Sequence, residues 1–117
     1  METCACCGYK SIPEKGNYDI CPICFWEDDP VQEADPWCEV GANSLSLCYA
    51  QLNYKEIGAM EERNLPYIRG VTSEDEKDTN WRELIEDDKK HCTTPREIES
   101  VWGTENQSSY NYWERNA

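Results

Sequence analysis

The pattern of apolar positions is most regular in the middle of the chain, where it predicts a helix from about Ser46 to Ile57. Asn43 or Ser44 can cap the start of this helix, and Gly58 stands where a left-handed residue commonly closes one. One apolar stripe, with spacings of 3, 4 and 3 residues, is expected to face inward: Leu47, Ala50, Tyr54 and Ile57.

The second half of the chain predicts two more helices. The first spans about residues 79–90, where apolar side chains recur at helical spacing: Trp81, Leu84 and Ile85. The second begins with a capping box, in which Thr94, Pro95 and Glu97 are N-cap, N1 and N3, and it ends at Gly103. Its apolar face consists of Ile98, Val101 and Trp102.

Two shorter segments of this half have weaker patterns. Residues 67–69 are compatible with a short strand after Pro66. Residues 106–117 form either a frayed tail or an edge strand whose aromatic side chains dock on the core. Those aromatic residues are Tyr110, Tyr112 and Trp113.

Four of the eight cysteines form two C-x-x-C pairs, which are separated by 13 residues. Each such turn presents two sulfurs on one side of a tight loop, and a hairpin between the turns brings both pairs around one ion. Gly8 allows a positive φ after the first pair, and Pro22 pre-sets the second loop. Short strands are expected at residues 19–20 and 25–26. The pattern predicts one structural zinc ion bound by Cys4, Cys7, Cys21 and Cys24.

Other uses of the cysteines stay open. Disulfides or a redox C-x-x-C pair are the alternatives to zinc, although the βαβ pattern of a redox motif is not visible. Cys6 lies inside the first turn and could replace Cys4 or Cys7 as a ligand. The other three are expected to be small buried apolar side chains, with a second metal site that includes His91 as the alternative. They are Cys38, Cys48 and Cys92.

Composition explains why such a chain would need a metal. Only 38 % of its 117 residues are hydrophobic and its mean hydropathy is −0.87, so its apolar core is small. The net charge of −13 opposes contact with phosphate backbones, which excludes free nucleic acid as an expected partner. No motif supplies an acid, a base and a nucleophile together, so we expect no enzyme activity and no catalytic residue. The absence of a secretory leader pattern and of a long apolar run predicts a cytoplasmic protein that does not enter membranes.

Acidic residues are densest, with no basic residue among them, in residues 27–39. Pro30 and Pro36 favour an extended or turning loop over a helix in this stretch. Such a loop is either simply solvated or a contact surface for a basic protein partner. The carboxylates that would form this surface are Glu27, Asp28, Asp29, Glu33 and Asp35.

The residues around the cysteine pairs also resemble those of a known family. The segments concerned are CACCGY at 4–9, YDICPICFWEDDP at 18–30, GANSLSL at 41–47 and NYKEIGA at 53–59. Over about residues 4–60 the chain resembles the bacterial cysteine-rich CPCC family. The resemblance implies a small zinc-binding domain without established enzymology, and small families of this kind are often found among bacterial toxin and immunity genes. One departure is Ala5, which stands where the family name expects proline.

Together these patterns predict an α+β fold. Residues 1–60 would form a zinc-ribbon-like module of two knuckles on short antiparallel strands, covered by a helix, and residues 61–117 an acidic helical extension packed on it. The predicted function is that of an immunity protein, which neutralises a basic bacterial toxin such as a nuclease. The alternatives are a zinc-ribbon nucleic-acid or transcription accessory protein and a regulatory adaptor.

Overall fold

The computed structural model describes residues 1–91 and 111–115. The described part is α+β, as predicted, with one two-stranded antiparallel sheet and several short helices. No helix among these residues is both long enough and apolar enough to cross a membrane. The elements are β1 (Glu2–Thr3), β2 (Lys10–Ile12), α1 (Pro30–Ala34), α2 (Leu47–Ile57), α3 (Tyr112–Arg115) and two 3-10 helices, Glu62–Tyr67 and Glu86–His91.

The first cysteine pair lies in a tight turn between β1 and β2, which pair antiparallel with Thr3 opposite Lys10. In this first knuckle (residues 4–9) the Cys4 amide donates to the Tyr9 carbonyl, and the Gly8 amide donates to the Cys4 carbonyl, both at 2.9 Å. Gly8 has a φ of 81°, the positive value that its place after the cysteine pair predicted.

The second knuckle (residues 21–26) repeats the same two hydrogen bonds. The Cys21 amide donates to the Trp26 carbonyl, and the Phe25 amide donates to the Cys21 carbonyl, both at 2.9 Å. Of the strands predicted on either side, only one antiparallel bridge forms, between Ile20 and Glu27. Phe25 stands where the first knuckle has its glycine and has a φ of 76°, which non-glycine residues rarely adopt.

A tryptophan from the second half of the chain covers the first knuckle. The Trp81 indole N–H donates to the Ala5 carbonyl at 3.0 Å, and a Cβ on Gly8 would come within 2.5 Å of the Trp81 ring. Gly8 therefore permits both the turn and this close approach. The Asp78 amide also donates to the Gly8 carbonyl at 2.8 Å. These contacts join residues on the two sides of position 60, and the division into 1–60 and 61–117 stays a prediction.

Helix α2 begins and ends close to the predicted positions. Its N-cap is Ser46, whose hydroxyl accepts the Tyr49 amide, rather than the predicted Asn43 or Ser44. Asn43 is instead buried and bonds the backbone of Glu27. The prediction that a left-handed glycine closes the helix is confirmed, because Gly58, directly after the last helical residue, has a φ of 83°.

One face of α2 covers the cysteines, as the apolar stripe predicted, but the stripe is shorter. Leu47 and Ala50 are fully buried in the same core cluster as the knuckle cysteines, and Tyr54 packs on that cluster. Gln51, which the apolar pattern does not mark, is also buried and donates to the Ala5 carbonyl at 2.9 Å. Ile57 is 40 % exposed, so the prediction that it faces inward is wrong.

Helix α1 forms where an acidic loop was predicted. Asp29 is its N-cap and accepts hydrogen bonds from the amides of Val31 and Gln32. Pro30 occupies the first turn, where its missing N–H costs nothing, and Pro36 follows the helix end. The two prolines therefore bracket a short helix instead of preventing one.

Two predicted elements of the second half do not form. The predicted helix over 79–90 is replaced by irregular chain up to Ile85 and then by the 3-10 helix Glu86–His91. Asp88 competes with helical bonding, since its carboxylate pairs with Arg82 and accepts the Ile85 amide at 2.7 Å. The possible strand at 67–69 is also absent, although the Arg69 amide donates to the Pro22 carbonyl at 3.0 Å.

The end of the chain is described only in part. The predicted helix from Thr94 to Gly103 and the aromatic residue Tyr110 lie outside the described residues. The predicted docking of aromatic side chains is confirmed for Tyr112 and Trp113, which are buried in the core, but they lie in the short helix α3 and not in an edge strand or a frayed tail.

We expect Asp29→Ala to lower the free energy of unfolding by about 1–2 kcal/mol, because it removes the N-cap of α1 and a hydrogen bond to the Ala42 amide. The Asp29 carboxylate accepts that Ala42 amide at 2.8 Å. Chemical denaturation of the metal-loaded protein measures the change. The exposed Glu14→Ala is the control, with an expected change within about 0.5 kcal/mol. Equal stability of the two variants would contradict the capping role.

Candidate metal centre

The four predicted metal ligands lie together at the centre of the core. The Sγ atoms of Cys4, Cys7, Cys21 and Cys24 are all within 4.8 Å of one another, and all four residues are buried. The Sγ–Sγ distance is 3.6 Å between Cys4 and Cys24 and 3.8 Å between Cys7 and Cys21. A tetrahedral ion with metal–sulfur bonds of about 2.3 Å separates its sulfurs by about 3.8 Å, whereas a disulfide needs about 2.0 Å. The four cysteines are therefore positioned to bind one metal ion.

The sulfur of Cys21 has two further polar neighbours. The Ser11 hydroxyl, on β2, lies 3.0 Å from it, and the Ile23 amide donates to it at 3.4 Å. Hydrogen bonds from outer residues to a ligand hold it in place and moderate its charge. The sequence pattern did not mark Ser11, although its position directly on the strand that leaves the first knuckle is compatible with this role.

Electrostatics at the cluster favour a bound cation. Burial raises the pKa of the Cys4 and Cys24 thiols, because a thiolate loses its hydration in the core. Hydrogen bonds from the other three thiols lower the pKa of Cys21. Four ionised sulfurs this close would repel one another strongly without a positive charge between them. A divalent cation would supply that charge, and four thiolates would leave it no open position for water or substrate.

The remaining cysteines are not part of this cluster. Cys6 is buried beside it, but the four-sulfur group is complete without it. Cys38 and Cys48 are only half-buried, so the expectation that they are buried apolar side chains is wrong. The Cys38 thiol donates to the Val40 carbonyl at 3.2 Å. The alternative second metal site involves Cys92 and the side chain of His91, which lie outside the described part of the chain.

The predicted acidic contact surface is largely internal. Asp28, Asp29 and Glu33 are 0 %, 3 % and 0 % exposed, so the expectation of a solvated acidic loop is wrong for them. Their carboxylates bond groups of the protein itself and cannot also meet a partner in this conformation. Glu27 and Asp35 are half-buried, and their contact with a partner stays a prediction.

A buried lysine explains how two of these carboxylates are accommodated. The Lys15 Nζ lies 3.2 Å from Asp28 Oδ1 and 2.7 Å from Glu33 Oε1, and its side chain is only 8 % exposed. The Trp26 indole N–H donates to the other Glu33 oxygen at 2.9 Å. Lys15 Nζ also lies over the Trp113 ring, 5.4 Å from its centroid. This lysine therefore ties the excursion between the knuckles to α1 and to α3.

Sequence reasoning missed Lys15, although a signal existed. Lys10 and Lys15 are the only basic residues before Lys55, and Lys15 lies in the turn between the two knuckles. The environment also shifts the pKa values of both groups. Burial raises the pKa of the Glu33 carboxyl. Burial alone would lower the pKa of Lys15, but the neighbouring carboxylates of Glu33 and Asp28 raise it. The Lys15 shift favours its protonated form and the Glu33 shift favours its neutral form, so each reduces the net negative charge of the core.

We expect Cys21→Ser to lose the metal and to unfold the metal-binding half, because such thiolate sites contribute on the order of 10 kcal/mol to folding in small domains. Metal content per chain and thermal unfolding measure both effects. Cys38→Ser is the matched control, since Cys38 lies outside the cluster, and it is expected to keep its metal. A Cys21→Ser protein with unchanged metal content and thermal midpoint would refute the site.

Lys15→Met is expected to lower the free energy of unfolding by about 3–5 kcal/mol, because it leaves two buried carboxyls without their cation. The control is Lys10→Met, which removes a more exposed lysine 3.6 Å from Glu76 and should cost at most about 1 kcal/mol. Denaturant titrations of both metal-loaded variants at neutral pH give the two values. A similar loss of unfolding free energy in the two variants would show that the buried ion pairs of Lys15 contribute no more than a surface pair.

Comparison with known proteins agrees with this centre. No protein of the curated collection matches the chain. The model of the family described as Cysteine-rich CPCC matches residues 2–75, which include both knuckles, α1, α2 and the first 3-10 helix. The match is longer than the resemblance predicted from residues 4–60, and it spans more than half of the 117 residues. The chain belongs to the cysteine-rich CPCC family.

Proposed function

We propose that this chain is a protein-binding domain that one structural zinc ion holds together, and that it binds a basic protein in the manner of an immunity protein neutralising a toxin. The observation that carries the proposal is the closed cluster of four buried sulfurs at the centre of the core. A metal enclosed by four thiolates supports the fold and has no position left for a substrate. The proposed binding of a protein partner is therefore assigned to the surface of the domain, whose fold the metal centre stabilises.

Zinc is the ion that this donor set favours. Four cysteine sulfurs in tetrahedral arrangement select zinc or iron among the common metals, and C-x-x-C turns in pairs are typical of structural zinc. The matched hydrogen bonds of the two knuckles support a zinc-ribbon-like module. In each knuckle the amide of the first cysteine donates to the carbonyl two residues past the second cysteine. The carbonyl of the same first cysteine accepts the amide of the residue directly after the second cysteine.

Charge supports a basic protein as the partner. The chain carries a net charge of −13, which accelerates encounter with basic proteins and opposes approach to nucleic acid. Several of its few basic side chains are already paired with acids of the same chain. Arg63 pairs with Glu61, and Lys15 is buried against two carboxylates. Among the described residues, little positive surface is left to hold a phosphate backbone, which disfavours the nucleic-acid accessory role.

Purified native protein is expected to contain one zinc ion per chain, and metal analysis of the untreated preparation tests this. Iron in place of zinc, with the same stoichiometry, would keep the site and change its ion. A preparation with no bound metal would overturn the zinc-stabilised fold.

Capture from the host lysate is expected to recover a basic protein that elutes with salt. The recovered protein is then purified and its Kd measured at several ionic strengths, with an expected loss of at least tenfold between low and moderate salt. Inhibition of that protein's own activity would support the immunity role. Binding of oligonucleotide at moderate salt, without a protein partner, would instead favour the accessory alternative.

A further inference from the structure

Helix α2 presents apolar side chains on two faces, and the described chain covers only one of them. The inner face packs on the cysteines, as described above. On the outer face Tyr49 and Leu52 are 59 % and 60 % exposed, and Ile57 is 40 % exposed at the helix end. A surface helix normally carries polar residues on the side that faces solvent. Exposed apolar side chains grouped on one face commonly mark an interaction site.

The outer face of α2 forms one wall of a groove. The opposite wall comes from the 3-10 helix Glu62–Tyr67, and the volume between them is about 850 Å³. A second depression of about 450 Å³ continues the groove, because Leu45 and Tyr49 line both. Apolar contacts to an occupant would come from four side chains: Leu45, Tyr49, Ile57 and Pro66.

Acidic residues line this groove and its continuation. Four carboxylates lie along it, from Glu39 at one end to Glu56, Glu61 and Glu62 at the other. Its one basic residue, Arg63, is paired with Glu61 at 2.7 Å. The groove thus combines an apolar wall with a negative rim, and a cationic segment with apolar anchors would match both.

We propose that this α2 groove is the face that binds the basic partner, and that it takes a lysine- or arginine-bearing amphipathic segment of that partner. The inference rests on the proposed function, to which it adds the binding face. The α2 groove replaces residues 27–39 as the proposed binding face, because three of the five carboxylates predicted to contact a partner there are buried. A second copy of the chain would bring its own excess of acid to a negative rim, so charge disfavours self-association as the use of this face.

The test uses the zinc-loaded, ¹⁵N-labelled full chain and a synthetic peptide of leucine and lysine with its leucines at helical spacing. Amide shifts are expected to change mainly at Tyr49, Ile57 and Glu62, with saturable binding. Two further peptides serve as probes: one of the same composition without an apolar face, and one with glutamate in place of lysine. Weaker binding of the first and no binding of the second are expected.

Two charge variants with the same change in net charge separate a defined groove from diffuse attraction. Glu56→Lys combined with Glu62→Lys is expected to weaken binding of the peptide at least tenfold. Glu2→Lys combined with Glu14→Lys alters exposed acids outside the groove and should change affinity less than twofold. Tyr49→Ala is expected to weaken binding without affecting metal content, because Tyr49 lies on the solvent side of α2.

Several outcomes would overturn the groove. One such outcome is equal weakening of peptide binding by both double variants, and another is amide shift changes spread over other surfaces. Either would mean that the acidic protein binds basic partners without using this groove. Failure of the peptide to bind, or equal binding of the glutamate peptide, would also reject it. In each case the capture experiment decides the proposed function separately, because a basic partner can be recovered and its salt dependence measured whichever face it uses. Concentration-dependent dimerisation through Tyr49 would assign the face to a second copy and reject the proposal.

Discussion

The convergence of four buried cysteine sulfurs, positioned to bind one metal ion, is the constraint on which the rest of this molecule depends. The core is small, and its central cluster packs five cysteines together with larger side chains such as Trp26, Ile12 and Leu47. Burial alone would leave these sulfurs in conflict, since desolvation resists ionisation while metal binding requires it. A bound cation would remove that conflict and would join the two knuckles through their sulfurs.

Covering elements attach to the knuckles mainly through their backbone groups. The Ala5 carbonyl accepts both the Gln51 amide group of α2 and the Trp81 indole, and the Met60 amide donates to the Cys24 carbonyl at 2.9 Å. These bonds satisfy groups that tight turns would otherwise leave unpaired in the core. Correct knuckle geometry is thus a condition for docking α2 and the later segments. The expected effect of metal loss therefore extends beyond the four ligands.

Acidic residues have two separate roles in this chain. Asp28, Asp29 and Glu33 are internal, where they pair with Lys15 or cap α1, and they shape the fold. Other carboxylates stay at the surface, including those along the α2 groove, and they supply the field that a basic partner would meet. The groove also lies within residues 2–75, the region that matches the family. A binding face there would rest on the same metal-held elements that define the family match.

What the sequence by itself determined is the metal centre and the helix beside it. The C-x-x-C spacing is local chemistry, so Cys4, Cys7, Cys21 and Cys24 could be assigned from it, and the turn at Gly8 and the end of α2 followed from local backbone preferences. The sequence also supported the family from motifs near the knuckles.

Only the tertiary structure decided which charged and apolar residues are covered. A run of acidic residues looks the same in the sequence whether water solvates it or a distant lysine pairs with it. Here Lys15 pairs with Glu33, which lies 18 positions later in the chain. The expected helix around residue 81 failed for the same reason, because Trp81 and Leu84 take their partners from the first knuckle and α2 instead of from a helix of their own. Local patterns record propensity and spacing, whereas burial and pairing depend on contacts between segments far apart in the chain.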